Sequence, residues 1–265
     1  MDKIGIVTIT YNSSDVIRSF LESIFSQTFQ NFVIYIIDNN SQDDTLEILK
    51  EYMQSKVKIV KNKKNVGVAK ANNQGIKQAI SDECNQILII NNDVEFENTL
   101  IQKLINVQNE KSCSLVAPKI MYYDNPNHIW YAGASFVKSK GYLPSHRGMK
   151  HLDEGQFNEI VEVEYAPTCC LLVKKEVFED VGLMNENFFV YFDDTDFSYR
   201  IWKHGKHKIV YYPFVEFYHK VGSLTKSLNR KGKNIYRGNF FIEQNVRNHV
   251  YFLKQIGGSY SYFFI

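Results

Sequence analysis

The chain has 265 residues, 44% hydrophobic and 23% charged, with a formal net charge of +2. That length allows a sizeable core, as one large domain or one domain with an appendage. The small charge and the lack of a long basic run argue against a nucleic-acid partner.

In chain order, Ile4 to Thr10 is apolar and β-branched and predicts a strand. Ser14 is expected to cap a helix whose stripe is Val16, Phe20, Leu21, Ile24 and Phe25. Phe32 to Asp38 predicts a second strand. Ser41 with Asp44 three residues on predicts the capped start of a helix facing inward through Leu46, Leu49 and Met53. Val57 to Val60 predicts a strand, Val68 to Ile80 a helix, and Gln86 to Ile90 a fourth strand. Such alternation argues for a parallel, doubly wound sheet.

Beyond Asp93 the rhythm changes. Thr99 to Val107 predicts a helix, and Ser114 to Lys119 and Ile129 to Phe136 predict strands. Ser139 to Glu159, with Gly141, Pro144, Gly148 and Gly155, predicts a mobile loop. Glu162 to Val173 reads as a strand leading into a helix at Lys175 to Val181. Another helix follows Asp194, and Lys208 to Tyr212 is a late strand. After Leu224 come a basic connector (Lys226, Arg230, Lys231, Lys233, Arg237) and an aromatic-rich end. Its stripe of Phe240, Phe241, Val246, Val250, Tyr251 and Leu253 fits either a helix packed on the domain or an interfacial helix at a membrane. Cys84, Cys113, Cys169 and Cys170 lack metal-like spacing and read as core thiols of a reducing compartment. No signal-peptide pattern follows Lys3, and no apolar run approaches the ~20 residues of a membrane span. A cytoplasmic protein is expected.

Three strand ends carry polar residues: Thr10-Tyr11-Asn12, Asp38-Asn39-Asn40-Ser41 and Asn91-Asn92-Asp93. In a parallel sheet they share one edge, where ligands of open α/β folds bind. Tyr11 can stack on a base, Asp38 can accept hydrogen bonds from a base or ribose, and Asp93 beside two amides can hold a divalent cation against phosphate oxygens. Each taken singly reads sooner as a turn or cap, but three coinciding at one sheet edge reverse that preference. Asn65, Gly67, Ala69, Asn72 and Gly75 form a tight turn and a small-residue helix face open to close approach by another element or a ligand. Asp193, Asp194 and Asp196 crowd a helix start. The helix dipole favours one acid there, while mutual repulsion can raise a pKa towards that of a general base. His219 falls in a loop after the late strand, as a structural residue or a ligand.

This ordered set, from Ile4 to about Ser223, resembles the family 2 glycosyltransferases, inverting enzymes of the GT-A fold, and is similar to those that add rhamnose or related sugars to bacterial surface polysaccharides. The resemblance implies an α/β fold: a Rossmann-like, mostly parallel central sheet flanked by helices, with a C-terminal helical appendage. It implies a catalytic domain at 1–225, with a nucleotide-sugar half at about 1–95 and an acceptor half at about 96–225, and a connector with a helical, aromatic segment at 226–265. By the resemblance, Asp194 is the general base, supported by Asp193, Asp196 and Arg200. Thr10, Tyr11, Asn12, Asp38, Asn40, Asn65, Gly67, Asn72 and Asn92 bind the nucleotide. Asp93 and His219 hold Mn²⁺ or Mg²⁺. The implied partners are a UDP- or dTDP-sugar donor and a saccharide or lipid-linked saccharide acceptor, with peripheral contact at the inner face of the membrane as an open alternative.

Two positions depart from the family pattern. The acidic metal motif reads Asn-Asn-Asp, leaving one carboxylate, and the usual Glu-Asp pair reads Asp193-Asp194. A catalytically silent nucleotide-sugar-binding member is the non-enzymatic alternative, disfavoured by the intact Asp93, Asp194 and His219. A sugar-phosphate nucleotidyltransferase would carry a Gly-rich basic loop after the first strand, and Thr8 to Asn12 has neither glycine nor a basic residue.

Overall fold

The computed structural model describes residues 3–53, 56–221 and 239–257. The basic connector, from Lys226 to Arg237, and residues 258–265 lie outside them. The first half follows the alternation read from the sequence: β1 (Ile4–Thr10), α1 (Ile17–Phe25), β2 (Phe32–Asp38), α2 (Thr45–Glu51), β3 (Val57–Lys61), α3 (Val68–Ser81) and β4 (Gln86–Ile90). β4, β1, β2 and β3 lie side by side in parallel, so Thr10 pairs with Asp38 at a common carboxyl edge. β1, β2 and β4 are buried on both faces, which is why they read as unbroken apolar runs, whereas β3 at the edge is mostly half-buried or exposed. Gly75 fits α3 tightly onto β1, because a Cβ there would stand 2.5 Å from Val7 Cγ1. The close approach is made by a strand, not a ligand.

The sheet extends through β12 (Cys170–Lys174), β6 (Leu115–Pro118), β13 (Ile209–Tyr212) and β11 (Val161–Val163) to eight strands. β12 and β11 run antiparallel to their neighbours and β13 parallel to β6, which makes the sheet mixed but mostly parallel. Helices α4 (Leu100–Glu110), α5 (Lys175–Val181) and α6 (Asp193–His204) follow β5, β12 and the 182–192 segment. A second, four-stranded sheet joins β5 (Val94–Phe96), β14 (Phe217–His219), β7 (Ile120–Tyr122) and β8 (Ile129–Tyr131).

Several expectations are corrected. Ser14 does not cap α1. Its N–H bonds Asp43, and the Ser13 carbonyl accepts from Val16 and Ile17 instead. Ser41 does not cap α2, since its hydroxyl turns back to Asp38 and Asp43 receives the Thr45 N–H. Met53 lies beyond α2 and is 60% exposed. The segment read as one strand from Ile129 divides at Gly133 into β8 and β9 (Ala134–Val137), and β9 pairs with β10 (Leu143–His146) inside the expected loop. Residues 162–173 are not one strand: β11 and β12 are separated by a turn containing Pro167.

The C-terminal helix α7 (Asn239–Ile256) buries Asn248, Phe252 and Leu253. Of the expected stripe, Leu253 is packed, whereas Phe240 and Val246 are exposed. The distal half of α7 seats on a separate aromatic cluster of Phe188, Phe192 and Tyr199. All four cysteines are free and buried.

Candidate active site

β1 continues to β2 on one side, and β4 lies on its other side, so the crevice between β1 and β4 is the topological switch point of the sheet. Its walls are the turns after β1, β2 and β4. Asp38 accepts from Thr10 Oγ1 at 2.9 Å and from the Ser41 N–H at 3.1 Å, so the carboxylate is rigidly aimed. Asn12 (φ 52°) and Asn40 (φ 68°) occupy the left-handed region that Asn tolerates, and Ser41 Oγ accepts from the Asn12 N–H. Tyr11 stays half-buried at the mouth. Asn92 is 1% exposed and donates to the Ile9 carbonyl and Ser13 Oγ, which bolts the β4 end to the β1 end. Its amide nitrogen is thereby spent inside the protein.

The second wall is the Asn65–Gly67 turn. Asn65 Oδ1 accepts the Gly67 N–H, and Gly67 (φ 87°) lies against Phe189, whose carbonyl would stand 2.6 Å from any Cβ added there. Asn72 is buried within α3. Its neighbour Asn73, not singled out from the sequence, ties α3 to the distant 182–187 segment: it donates to the Met184 carbonyl at 2.8 Å and to Glu186, and accepts from the Met184 N–H.

His219 reaches Asp93 through the small sheet. β5 begins immediately after Asp93 and pairs with β14, opposing His219 to Val94, and the Lys220 N–H bonds the Asp93 carbonyl. His219 Nε2 stands 3.4 Å from Asp93 Oδ1. Beside this pair, Asn92 Oδ1 and His219 Nδ1 are buried without a hydrogen-bond partner. A carboxylate and an imidazole, with the Asn92 Oδ1 acceptor unused nearby, fit a hard cation that takes its other ligands from phosphate and water. They do not make a closed cage, because no group of three His, Cys, Asp or Glu suited to a metal occurs among the described residues.

At the start of α6 the three acids diverge. Asp193 is buried, and burial first, then the charge of Asp194, raises its pKa. Asp196 is raised by burial, against the opposing pull of Arg200, which it binds at 2.8 Å. Arg200 also donates to the Val181 and Leu183 carbonyls and so anchors the approach to the helix. Asp194 is half-buried. Its pKa is raised by burial and held in check by the Tyr165 hydroxyl, which donates at 2.7 Å, and by the Thr195 N–H, also at 2.7 Å. Tyr191 (φ 64°) and Phe192 (φ 68°) precede the acids in the left-handed region, at a cost of about 1–2 kcal/mol each.

Aromatic contacts join the two acidic corners. From Asp194 the line runs through Tyr165 to His146 (5.4 Å between ring centroids), to Trp130 (6.1 Å) and to His219 (4.9 Å). Burial lowers the His146 pKa to about 4, so this ring is neutral near pH 7. Sequence reading passed over Tyr165 and His146 because each sits in a segment of ordinary appearance. The only cue for Tyr165 was the nearby Pro167, which breaks the supposed strand.

A switch-point crevice on a mixed, mostly parallel sheet places the chain in the GT-A class of α/β fold. The family model described as Glycosyl transferase family 2 matches residues 5–182. The chain belongs to that family. It is 26% identical over 204 residues to the low-salt glycan biosynthesis hexosyltransferase of Haloferax volcanii, a match covering 76% of this chain and 62% of the relative. It is 27% identical over 233 residues to the dTDP-rhamnosyl transferase RfbF of Shigella flexneri, covering 86% and 72%. The crystal structure of GalNAc-T7 with UDP, GalNAc and Mn²⁺ shares the fold, with TM-score 0.67, 16% identity and coverage of 83% of this chain and 44% of that one. The chain therefore spans only part of these proteins.

Proposed function

We propose that the chain is an inverting glycosyltransferase that moves a sugar from a UDP- or dTDP-sugar to a hydroxyl of a surface polysaccharide or lipid-linked saccharide. The observation that carries this reading is Asp194, a half-buried carboxylate of raised pKa joined by an aromatic line to the Asp93–His219 corner. Thr10, Tyr11, Asn12, Asp38, Asn40, Asn65, Gly67 and Asn72 form the nucleotide crevice, and Asn92 keeps it in shape. In the transfer the acceptor oxygen attacks the anomeric carbon and its proton passes to an Asp194 oxygen. The bond from the anomeric carbon to the diphosphate breaks with its electrons on the phosphate oxygen, and the single displacement inverts the centre. Asp93 and His219 would hold Mn²⁺ or Mg²⁺, which supplies positive charge against the departing diphosphate. Asp193, uncharged when its raised pKa keeps it protonated, spares Asp194 a second negative neighbour.

The catalytic unit in this reading is 1–225, with 226–265 as connector and C-terminal segment. Exposed Phe240, Ile242 and Val246 on α7 favour peripheral contact with the membrane that carries a lipid-linked acceptor. No helix among the described residues is long and apolar enough to cross one.

The test is a panel of UDP-glucose, UDP-N-acetylglucosamine and dTDP-rhamnose, scored by nucleoside diphosphate release with Mn²⁺, Mg²⁺ or EDTA. Release that depends on metal in the wild type, and falls about 10²–10³-fold in Asp93→Ala, is expected. Full-rate release in EDTA removes the metal assignment, and no release with any donor removes the reading.

A further inference from the structure

The turn that delivers Asp193 and Asp194 holds two successive non-glycine residues, Tyr191 and Phe192, in a sparsely populated backbone region. Such a conformation lasts only where its surroundings impose it. The imposing group lies on α7. Asn248 is 1% exposed, and its amide nitrogen donates to the Val190 carbonyl at 2.9 Å and to the Tyr191 carbonyl at 3.0 Å. Both of its N–H bonds thus end on consecutive carbonyls of that turn. On the same helix, His249 stacks on Phe192 with 5.4 Å between centroids and bonds the Gly141 carbonyl, and Phe252 packs against Phe192 and Tyr199. An apolar side chain at 248 would bury surface equally well, and a buried amide is costly unless its hydrogen bonds are used. What the amide adds is direction.

We infer that α7 is part of the active site and that Asn248 is a positioning residue, clamping the 190–192 turn so that Asp194 faces the acceptor hydroxyl while Asp193 points into the core. The inference rests on the reading of Asp194 as the base. It assigns a catalytic duty to a helix outside the 5–182 region that the family model matches.

The test compares Asn248→Ala, the double variant Tyr191→Gly/Asn248→Ala, Asp194→Asn and Glu243→Gln in the full chain. Turnover is followed with whichever of the three panel donors is used by the wild type, and binding of UDP or dTDP, matching that donor, by calorimetry. Asn248→Ala should lose about 10²-fold in kcat while donor KM and nucleotide affinity stay within about two-fold. Glu243→Gln, on the exposed face of the same helix, should keep the wild-type kcat. Adding Tyr191→Gly should recover part of the lost kcat, because glycine enters the left-handed region without steric cost. Wild-type kcat in Asn248→Ala beside an inactive Asp194→Asn overturns the inference and leaves the reading standing. Nucleotide binding lost in step with kcat, or a double variant no faster than Asn248→Ala, also overturns it. Full turnover by Asp194→Asn overturns the reading itself.

Discussion

In the crevice between β1 and β4, Thr10, Asp38, Ser41, Ser13 and Asn92 satisfy one another across strand ends that the parallel register already brings together. At the start of α6, Asp193, Asp194 and Asp196 are instead held against their own repulsion, two with their side chains buried, behind a left-handed turn, with Arg200 of the same helix on Asp196 and two distant elements, Tyr165 and α7, packed around them. The first region is a set of hydrogen bonds that cost little to form. The second keeps carboxylates in an environment that raises their pKa, which is what a base working near neutral pH requires. The contrast is between rigidity in the crevice and stored strain beside the acids.

The largest break in that contrast should come from Asp194→Asn, which keeps the shape and the Thr195 contact but cannot take a proton. Transfer should fall by about 10²–10⁴-fold with nucleotide binding intact, as measured by initial rates and calorimetry. Tyr165→Phe should sharpen it. The hydroxyl lowers the pKa of Asp194, so its removal lets that pKa rise further. As the proposed base, Asp194 would act when deprotonated, so activity should be lost as pH falls through its pKa. The acid limb of the kcat profile should therefore move to higher pH, with the deficit greater at pH 6 than at pH 8. A uniform loss at all pH values would make Tyr165 merely structural.

A smaller effect, on stability, is expected from Asn73→Ala. It strips hydrogen bonds from both the N–H and the carbonyl of Met184, at about 1–3 kcal/mol in urea unfolding. The smallest concerns the outer face of α7. Replacing Phe240 and Val246 with serine should weaken sedimentation with anionic vesicles by about ten-fold without changing turnover of a water-soluble acceptor. Unchanged sedimentation would leave that face without a membrane role.

The donor region was legible because its signals are local. Gln86 to Ile90 ends at Asn91 whatever it packs against, and β1, β2 and β4 have the bounds their apolar runs imply. Capping was less so: Ser14 and Ser41 have the right chemistry for helix starts, but the Ser14 N–H is bound by the distant Asp43 and the Ser41 hydroxyl turns back to Asp38 three residues earlier. The loop expected at 139–159 hides a strand because its glycines mark the ends of a hairpin as readily as an irregular segment. The stripe on α7 was misplaced because the helix packs through Asn248 and Phe252, and a periodicity argument gives an asparagine no weight on a buried face.

By itself, then, the chain determined its parallel core, the polar ends of three strands and a crowded group of acids, since each is written in contiguous residues and backbone propensity. Only the tertiary structure decided that His219 meets Asp93, that Asp194 and not Asp193 faces outward, and that Tyr165 bonds Asp194 while Asn248 bonds the turn before it. Those contacts join residues 29 to 126 positions apart. They arise from sheet order and helix packing, which no local pattern of side chains encodes.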